Sequence, residues 1–422
     1  MSTANRSQPS GERLALLYRL SQTFNSSLDL DEVLNRVMDE VIAVTGAERG
    51  FVTLREADGG LVFRAARGMD QKTIDDPQFQ ISRSVVERVA REGEPILTSD
   101  ARSDDRFSMR RSVMVLGLCS ILCVPLKVKD QISGVVYVDN RLQAGIFSQA
   151  DLELLTAIAS SAAIAIENAR LYQIAVEKGR MERELQMARE VQASLLARET
   201  PDVPGWEFAA RWQPAREVAG DYYDFIPLGG GQVGLVIADV SDKGMPAALF
   251  MALTRSMVRA SVGRASSPAD GISHANRLIC ADATRGMFVT LFYALLNSVT
   301  GDITYVNAGH NPPLLYRANQ DRLTKLTRTG MALGVIADSP FEERTLHLNS
   351  GDFILLYTDG VTDATDAQEH DFGIDRLEHV ALDNRGAPAE GIVAALEQAI
   401  HDFAGSTAPF DDMAIVVTKC QR

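Results

Sequence analysis

The sequence predicts an α+β multidomain protein: a mixed α/β domain, a helical connector, and a second domain of strands and helices. Three observations carry this. The chain has 422 residues, more than one hydrophobic core usually organises. Over the first 170 residues a helix-period segment, hairpins and a second long helix follow one another. A heptad-like stretch from Leu171 to Leu195 then leads to a half in which apolar runs repeatedly end in aspartates. The expected boundaries are a disordered tail over 1–12, a first domain over 13–170, a connector over 171–199 and a second domain over 200–422.

The first domain opens with helix grammar. In "SLDLDEVLNRVMDEVIAVTG", Asp29 followed by Glu32 forms a capping box with Asp in the first place. Leu30, Val33, Leu34, Val37, Met38, Val41 and Ile42 share one face, and Gly46 stands where a C-cap belongs. Phe51–Leu54 and Leu61–Phe63 flank Asp58-Gly59-Gly60 as a hairpin. "SILCVPLKVKDQISGVVYVDN" gives two more strands around Lys129-Asp130, and "FSQADLELLTAIASSAAIAIENARLY" starts the exit helix.

That order, and the phrase "SILCVPLKVKDQISGVVYVDN" above all, resembles a GAF domain over about residues 13–170. Such domains bind a small molecule over the sheet or pair with a second copy, and both alternatives stay open here. Asn140-Arg141 and Phe147 with Asp151 match a cyclic-nucleotide pattern only in part, with Arg for Lys and Leu152 for Glu. Their plain reading is a frame for the turn into the exit helix. Cys119 and Cys123 have no further Cys or His at ligand spacing and read as small buried hydrophobes.

In the connector, Leu171, Ile174, Lys178, Met181, Leu185, Ala188, Gln192 and Leu195 alternate as a and d positions. Lys178 and Gln192 weaken the seam. The favoured reading is a parallel two-stranded coiled coil, hence a homodimer; the competing one is a single solvated helix. Pro201, Pro204 and Gly205 end the helix.

The second half presents carboxylates on strand ends. Asp221 and Asp239 are 239 − 221 = 18 residues apart, and strands 221–228 and 232–239 around Gly229–Gly231 would bring them to one end. Two such carboxylates are costly without a positive charge between them. Hard oxygen donors suit Mg²⁺ or Mn²⁺, and the Val240 carbonyl adds one more oxygen. Asp359 follows the run Phe353–Tyr357, and Asp411-Asp412 precede the last strand. Acids at several strand edges suggest a binuclear site.

"REVAGDYYDF", "ADVSDKGMPAALFMA", "FVTLFYALLN", "YVNAGHNPPLLY", "LLYTDGVTDA" and "FDDMAIVV" stand in the order found in bacterial PPM (2C-type) serine/threonine phosphatases of the SpoIIE/RsbU-like branch. The resemblance covers about residues 185–422. It implies an α-β-β-α sandwich with two Mn²⁺ or Mg²⁺ ions at one edge and in-line attack of activated water on phosphorus, with no covalent phospho-enzyme. By the same resemblance Asp239 bridges both metals, Asp221 binds one, and Asp359 and Asp411 bind the other. Asp411 is chosen over Asp412 because the family aspartate stands two residues before the Met-like position. Asp239 and Asp221 are thus the expected catalytic residues. His310, in "NAGHNPP", reads as a turn residue, and Arg216 reads equally as a phosphate contact or an exposed charge.

The resemblance implies a phosphorylated protein substrate, an anti-sigma-factor antagonist of a partner-switching pathway. A non-catalytic scaffold that binds a partner is the competing class. The net charge of −14 argues against a nucleic-acid or anionic-membrane surface. No segment is expected to span a bilayer, since Leu154–Ile166 stops at Glu167. Four scattered cysteines and an N-terminus without an apolar core segment fit a reduced cytoplasm.

Overall fold

The computed structural model describes residues 10–56, 58–68, 81–99, 118–197, 199–283, 286–407 and 411–422. The chain divides into two compact units, residues 1–181 and 182–422.

In the first unit, helices α1 (Ser10–Phe24) and α2 (Leu30–Thr45) precede strands β1 (Arg49–Arg55) and β2 (Leu61–Gly68). Helix α3 (Arg83–Glu92), β3 (Ile96–Thr98), β4 (Ser120–Val128) and β5 (Gln131–Asn140) follow, and α4 (Gln149–Leu195) leaves the unit. The Asp29 side chain accepts the Glu32 amide and Gly46 closes α2 in the left-handed conformation. The sheet runs β2-β1-β5-β4-β3, antiparallel throughout. Side chains alternate along a strand, so Val52 and Leu54 enter a core with α2 and α4, whereas Phe51 enters a second core with α3. Cys123 lies in that second core, and burial pushes its thiol well above the usual range. Asn140 Oδ1 accepts the amides of Leu142 and Gln143, Ser148 and Asp151 cap the start of α4, and Phe147 is buried. These residues frame the turn.

Two sequence expectations need adjustment. Helix α1 begins at Ser10, inside the stretch read as tail, with Leu20 and Phe24 buried; residues 1–9 lie outside the described residues. The exit helix and the connector are one unbroken helix of 47 residues, which Glu167 does not interrupt. Among the described residues α4 is therefore the one helix long and apolar enough to cross a membrane by length and composition. Its apolar residues Leu155, Ile158, Ala159, Ala162, Ala163 and Ile166 are buried in the first core, as a core helix requires. Beyond them Leu171, Ile174 and Met181 are more than half exposed, whereas Gln192 is 4 % exposed.

The second unit begins with β6 (Trp206–Gln213), β7 (Tyr222–Gly229) and β8 (Gln232–Val240), then helices α5 (Met245–Val262) and α6 (Pro268–Asp282). Strands β9 (Val289–Asn297), β10 (Asp302–Ala308), β11 (Leu314–Arg317), β12 (Arg322–Lys325), β13 (Arg344–His347) and β14 (Phe353–Tyr357) follow. Short α7 (Asp359–Thr362), α8 (Gly373–Asp383), α9 (Ala389–Ala404) and β15 (Met413–Cys420) complete it. Two antiparallel sheets form, β13-β10-β9-β8-β7 and β12-β11-β14-β15-β6. Phe208, Phe225, Leu235, Ile237, Phe292, Ile354, Leu356 and Val416 make the core between them. The opposite face of the first sheet packs under α5 and α6 through Val236, Ala238, Met251 and Ile272, and that of the second under α8 and α9 through Leu355, Tyr357, Ile392 and Val417. The layers are α-β-β-α, as the resemblance implied.

Candidate metal centre

The hairpin β7–β8 pairs Tyr222 with Ala238. Asp221 and Asp239 lie one step further on, opposite each other at the open end. Gly220 allows this end to close: a Cβ there would stand 3.1 Å from the Val240 carbonyl oxygen and 3.4 Å from Ala247 Cβ. Asp239 also faces Thr290 across β9. The loop from Ser241 to Gly244 then enters α5 with Pro246 in its first turn, and Asp242 takes a φ of 74°. Buried Asp224, on β7, accepts two hydrogen bonds from Arg259 and pairs with Arg255, tying α5 to the strand that Asp221 starts.

The second sheet supplies the other acids. Every residue of β14 is buried, and the strand delivers Thr358 and Asp359 at its end. The Ala414 amide donates to Thr358 Oγ1 at 2.8 Å and the Thr358 amide to the Ala414 carbonyl at 3.1 Å. A Cβ on Gly360 would stand 1.9 Å from the Asp412 carbonyl oxygen, so only glycine lets the start of α7 lie against residues 411 and 412. Asp411 Oδ2 is 2.8 Å from Lys243 Nζ. Asp412 is used differently: the amides of Ala215 and Gly220 donate to its two oxygens at 2.8 and 2.7 Å.

These carboxylates raise one another's proton affinity. Burial and the Asp239 charge hold Asp221 well above the usual carboxylate range. Burial and Asp359 push Asp239 up to about 7, with Asp411 and Asp412 adding to it. Burial and Asp411 likewise raise Asp359, against the opposing charge of Lys243. Asp221 Oδ2 is buried without a hydrogen-bond partner. Among the described residues no three or more His, Cys, Asp or Glu stand grouped closely enough to hold a metal ion as they are. An orphaned buried oxygen, mutual repulsion and an all-oxygen donor set fit a hard divalent cation, and Mg²⁺ binds through one or two carboxylates while keeping several waters. A cavity of about 610 Å³ runs from Asp411 and Gly360 along α9, past Thr365, Glu397, His401 and Met413.

His310 is a fastener between the sheets. The Tyr357 carbonyl accepts from Nε2 at 3.2 Å, which leaves Nδ1 to accept from the Thr290 hydroxyl at 2.9 Å. It thus joins the strand facing Asp239 to the strand leading into Asp359. Burial lowers this imidazole to about 4, and Arg328 adds to the effect. The unfolded chain takes up a proton here below pH 6.5, the folded chain only below about 4. Stability contributed by neutral His310 is therefore complete above pH 6.5 and falls as pH drops through that window. The expected loss is about 2 kcal/mol between pH 7 and pH 5. Urea titrations of His310→Gln should lack this difference, and an unchanged difference would assign it to other groups.

Arg216 is exposed on the loop that carries Ala215 and Gly220. Sequence reasoning missed Lys243, an ordinary loop lysine until folding sets it on Asp411, and the anchoring role of Asp412.

The molecule so described is a two-part chain: residues 27–167 match the model of the GAF domain, and residues 229–421 that of stage II sporulation protein E (SpoIIE). Its first part is thus similar to a GAF domain and its second to SpoIIE, each match covering less than half of the chain. The second match includes Asp239, Asp359 and Asp411 and starts after Asp221. Protein IcfG of Synechocystis sp. is 31% identical over 55% of this chain and 41% of its own length. Phosphoserine phosphatase RsbU of Bacillus subtilis is 32% identical over 43% of this chain and 53% of its own length. The chain thus spans about half the length of the curated relatives it matches. The SiaA-PP2C domain of Pseudomonas aeruginosa superposes on 58% of this chain and 99% of that domain, with a TM-score of 0.53 at 17% identity, which shows the fold.

Proposed function

We propose that the chain is a metal-dependent protein serine/threonine phosphatase governed by its GAF domain. The observation that supports this reading is the mutual repulsion among Asp221, Asp239, Asp359 and Asp411, on ends of strands from two sheets, with the buried Asp221 Oδ2 left unpartnered. Asp221 and Asp239, with the Val240 carbonyl, would hold one cation, and Asp239, Asp359 and Asp411 a second; Mn²⁺ and Mg²⁺ both suit these donors. Two such ions supply a nucleophile at neutral pH and offset charge on phosphoryl oxygens. The chain's own groups orient this: Thr358 fixes the approach to Asp359, and Asp412 fixes the loop before Asp221. The cavity beside Asp411 has room for polypeptide flanking a phosphorylated side chain, which favours a protein substrate. The name of the relative RsbU supports phosphoserine, and the reading extends to an anti-sigma-factor antagonist as substrate in the cytoplasm.

The test is phosphate release from phosphoserine peptides and p-nitrophenyl phosphate by the full chain with Mn²⁺, reversed by chelation. Binding of phosphopeptide without release would leave only the scaffold reading. The exposed apolar residues of α4 support a homodimer through a coiled coil. Light scattering is expected to give the mass of two chains, and Leu171→Glu with Ile174→Glu the mass of one; a monomeric wild type would refute the dimer.

A further inference from the structure

We infer that Gln192 is a positioning residue that sets the direction of the Asp221 carboxylate. This rests on the reading of Asp221 as a metal ligand. Gln192 was an ill-fitting polar residue in the heptad seam. In the structure it is buried, and its amide meets a single residue at both ends. Nε2 donates to the Ala219 carbonyl at 2.6 Å, and the Ala219 amide donates to Oε1 at 2.9 Å. A paired donor and acceptor fix the direction of a peptide as well as its place, as a neighbouring strand does.

Ala219 stands two residues before Asp221. The Gly220 amide is held by Asp412 Oδ2 at 2.7 Å, and the Asp221 carbonyl accepts from Trp212 Nε1 at 3.0 Å. Three consecutive residues are thus pinned by α4, by the residue before β15 and by β6. Asp221 Oδ2 has no hydrogen-bond partner, and the side-chain hydrogen bonds of this carboxylate are to Thr358 and Asp239, so the backbone at 219–221 sets which way the free oxygen faces. Packing alone does not require glutamine here. Met would fill the same space without orienting Ala219. Leu196, four residues on and also buried, does the packing, in the core that holds Tyr222 and Met251.

The experiment is calorimetric titration of Mn²⁺ into the metal-free full chain. Gln192→Met is expected to weaken Mn²⁺ binding at one site about tenfold or more, the range seen when groups orienting a ligand are removed. Gln192→Glu keeps the acceptor for the Ala219 amide and loses the donor, and should fall in between. Leu196→Ala should lower the melting temperature and leave Mn²⁺ affinity within about twofold of wild type, since it removes packing alone. Wild-type affinity in Gln192→Met overturns the inference, as does equal weakening in Leu196→Ala. Should Gln192→Met fail to fold, Gln192→Glu decides: weakening of about threefold or more supports the role, and wild-type affinity overturns it. Asp221→Asn tests the underlying reading separately. Undiminished Mn²⁺ binding in that variant refutes Asp221 as a ligand, whatever the Gln192 variants do.

Discussion

Asp239→Asn is expected to abolish turnover and to make the metal-free protein more stable. The two effects have one cause. Burial and the charge of Asp359 push Asp239 up to about 7, so at neutral pH its ionised form is held against repulsion from several directions. An amide of the same shape removes that repulsion and with it the donor expected to bridge two cations. Phosphate release should drop about 10³-fold or more, because a bridging ligand serves both ions. Calorimetry should show at least one Mn²⁺ site lost. The melting temperature in chelator should rise, at about 2–4 °C per kcal/mol of repulsion relieved. Such a trade of stability for function is usual where a site is built from strain. Turnover within tenfold of wild type would end the reading of Asp239 as a metal ligand. A fall in the metal-free melting temperature would show that Asp239 is a structural acid whose hydrogen bonds outweigh its repulsions.

The acids were legible in the sequence because each stands at an end of an apolar run, Asp239 and Asp359 at its close and Asp221 and Asp411 before its start, and β-strand periodicity fixes where the ends of such runs lie. Asp221 and Asp239 could be set opposite each other from hairpin spacing alone, and the Tyr222–Ala238 pair places them so. What sequence does not carry is the use of a polar group whose partner is distant in the chain. Asp411 and Asp412 look alike side by side; amides from Ala215 and Gly220, nearly two hundred residues earlier, tell them apart. Gln192 read as a defect in a heptad because heptad reasoning considers one partner surface, whereas its partner is a loop of the domain that follows. Helix α1 went unread because its buried residues, Leu20 and Phe24, come after a polar beginning that resembles a tail. The connector and the exit helix were split at a composition change that the helical backbone does not register.

The second large effect separates the paired acids before β15. Asp412→Ala is expected to destabilise the second unit and, by releasing Gly220, to weaken the Asp221 metal site as well, whereas Asp411→Asn is expected to disable the site and leave the stability of the metal-free protein nearly untouched. The Asp412 carboxylate satisfies two amides, and its removal strands both, one of them on buried Gly220. An unsatisfied buried amide costs about 1–3 kcal/mol, so the variant should lose about 2–5 kcal/mol. Its melting temperature should fall by roughly 5–15 °C at the size of this unit. Asp411 instead gives up an ion pair with Lys243 in which both side chains are about a quarter to a third exposed. Such a pair contributes about 0.2–1 kcal/mol, so the melting temperature should move by about 3 °C or less. The functional loss runs the other way. Asp411→Asn removes a donor next to Asp359 and is expected to cut turnover about 10²-fold, with one Mn²⁺ site weakened. Thermal melts in chelator, paired with Mn²⁺ titration of the same samples, read both properties. If Asp411→Asn melts far below wild type while Asp412→Ala keeps its stability and loses metal, the two aspartates exchange roles, and the second cation belongs to Asp412.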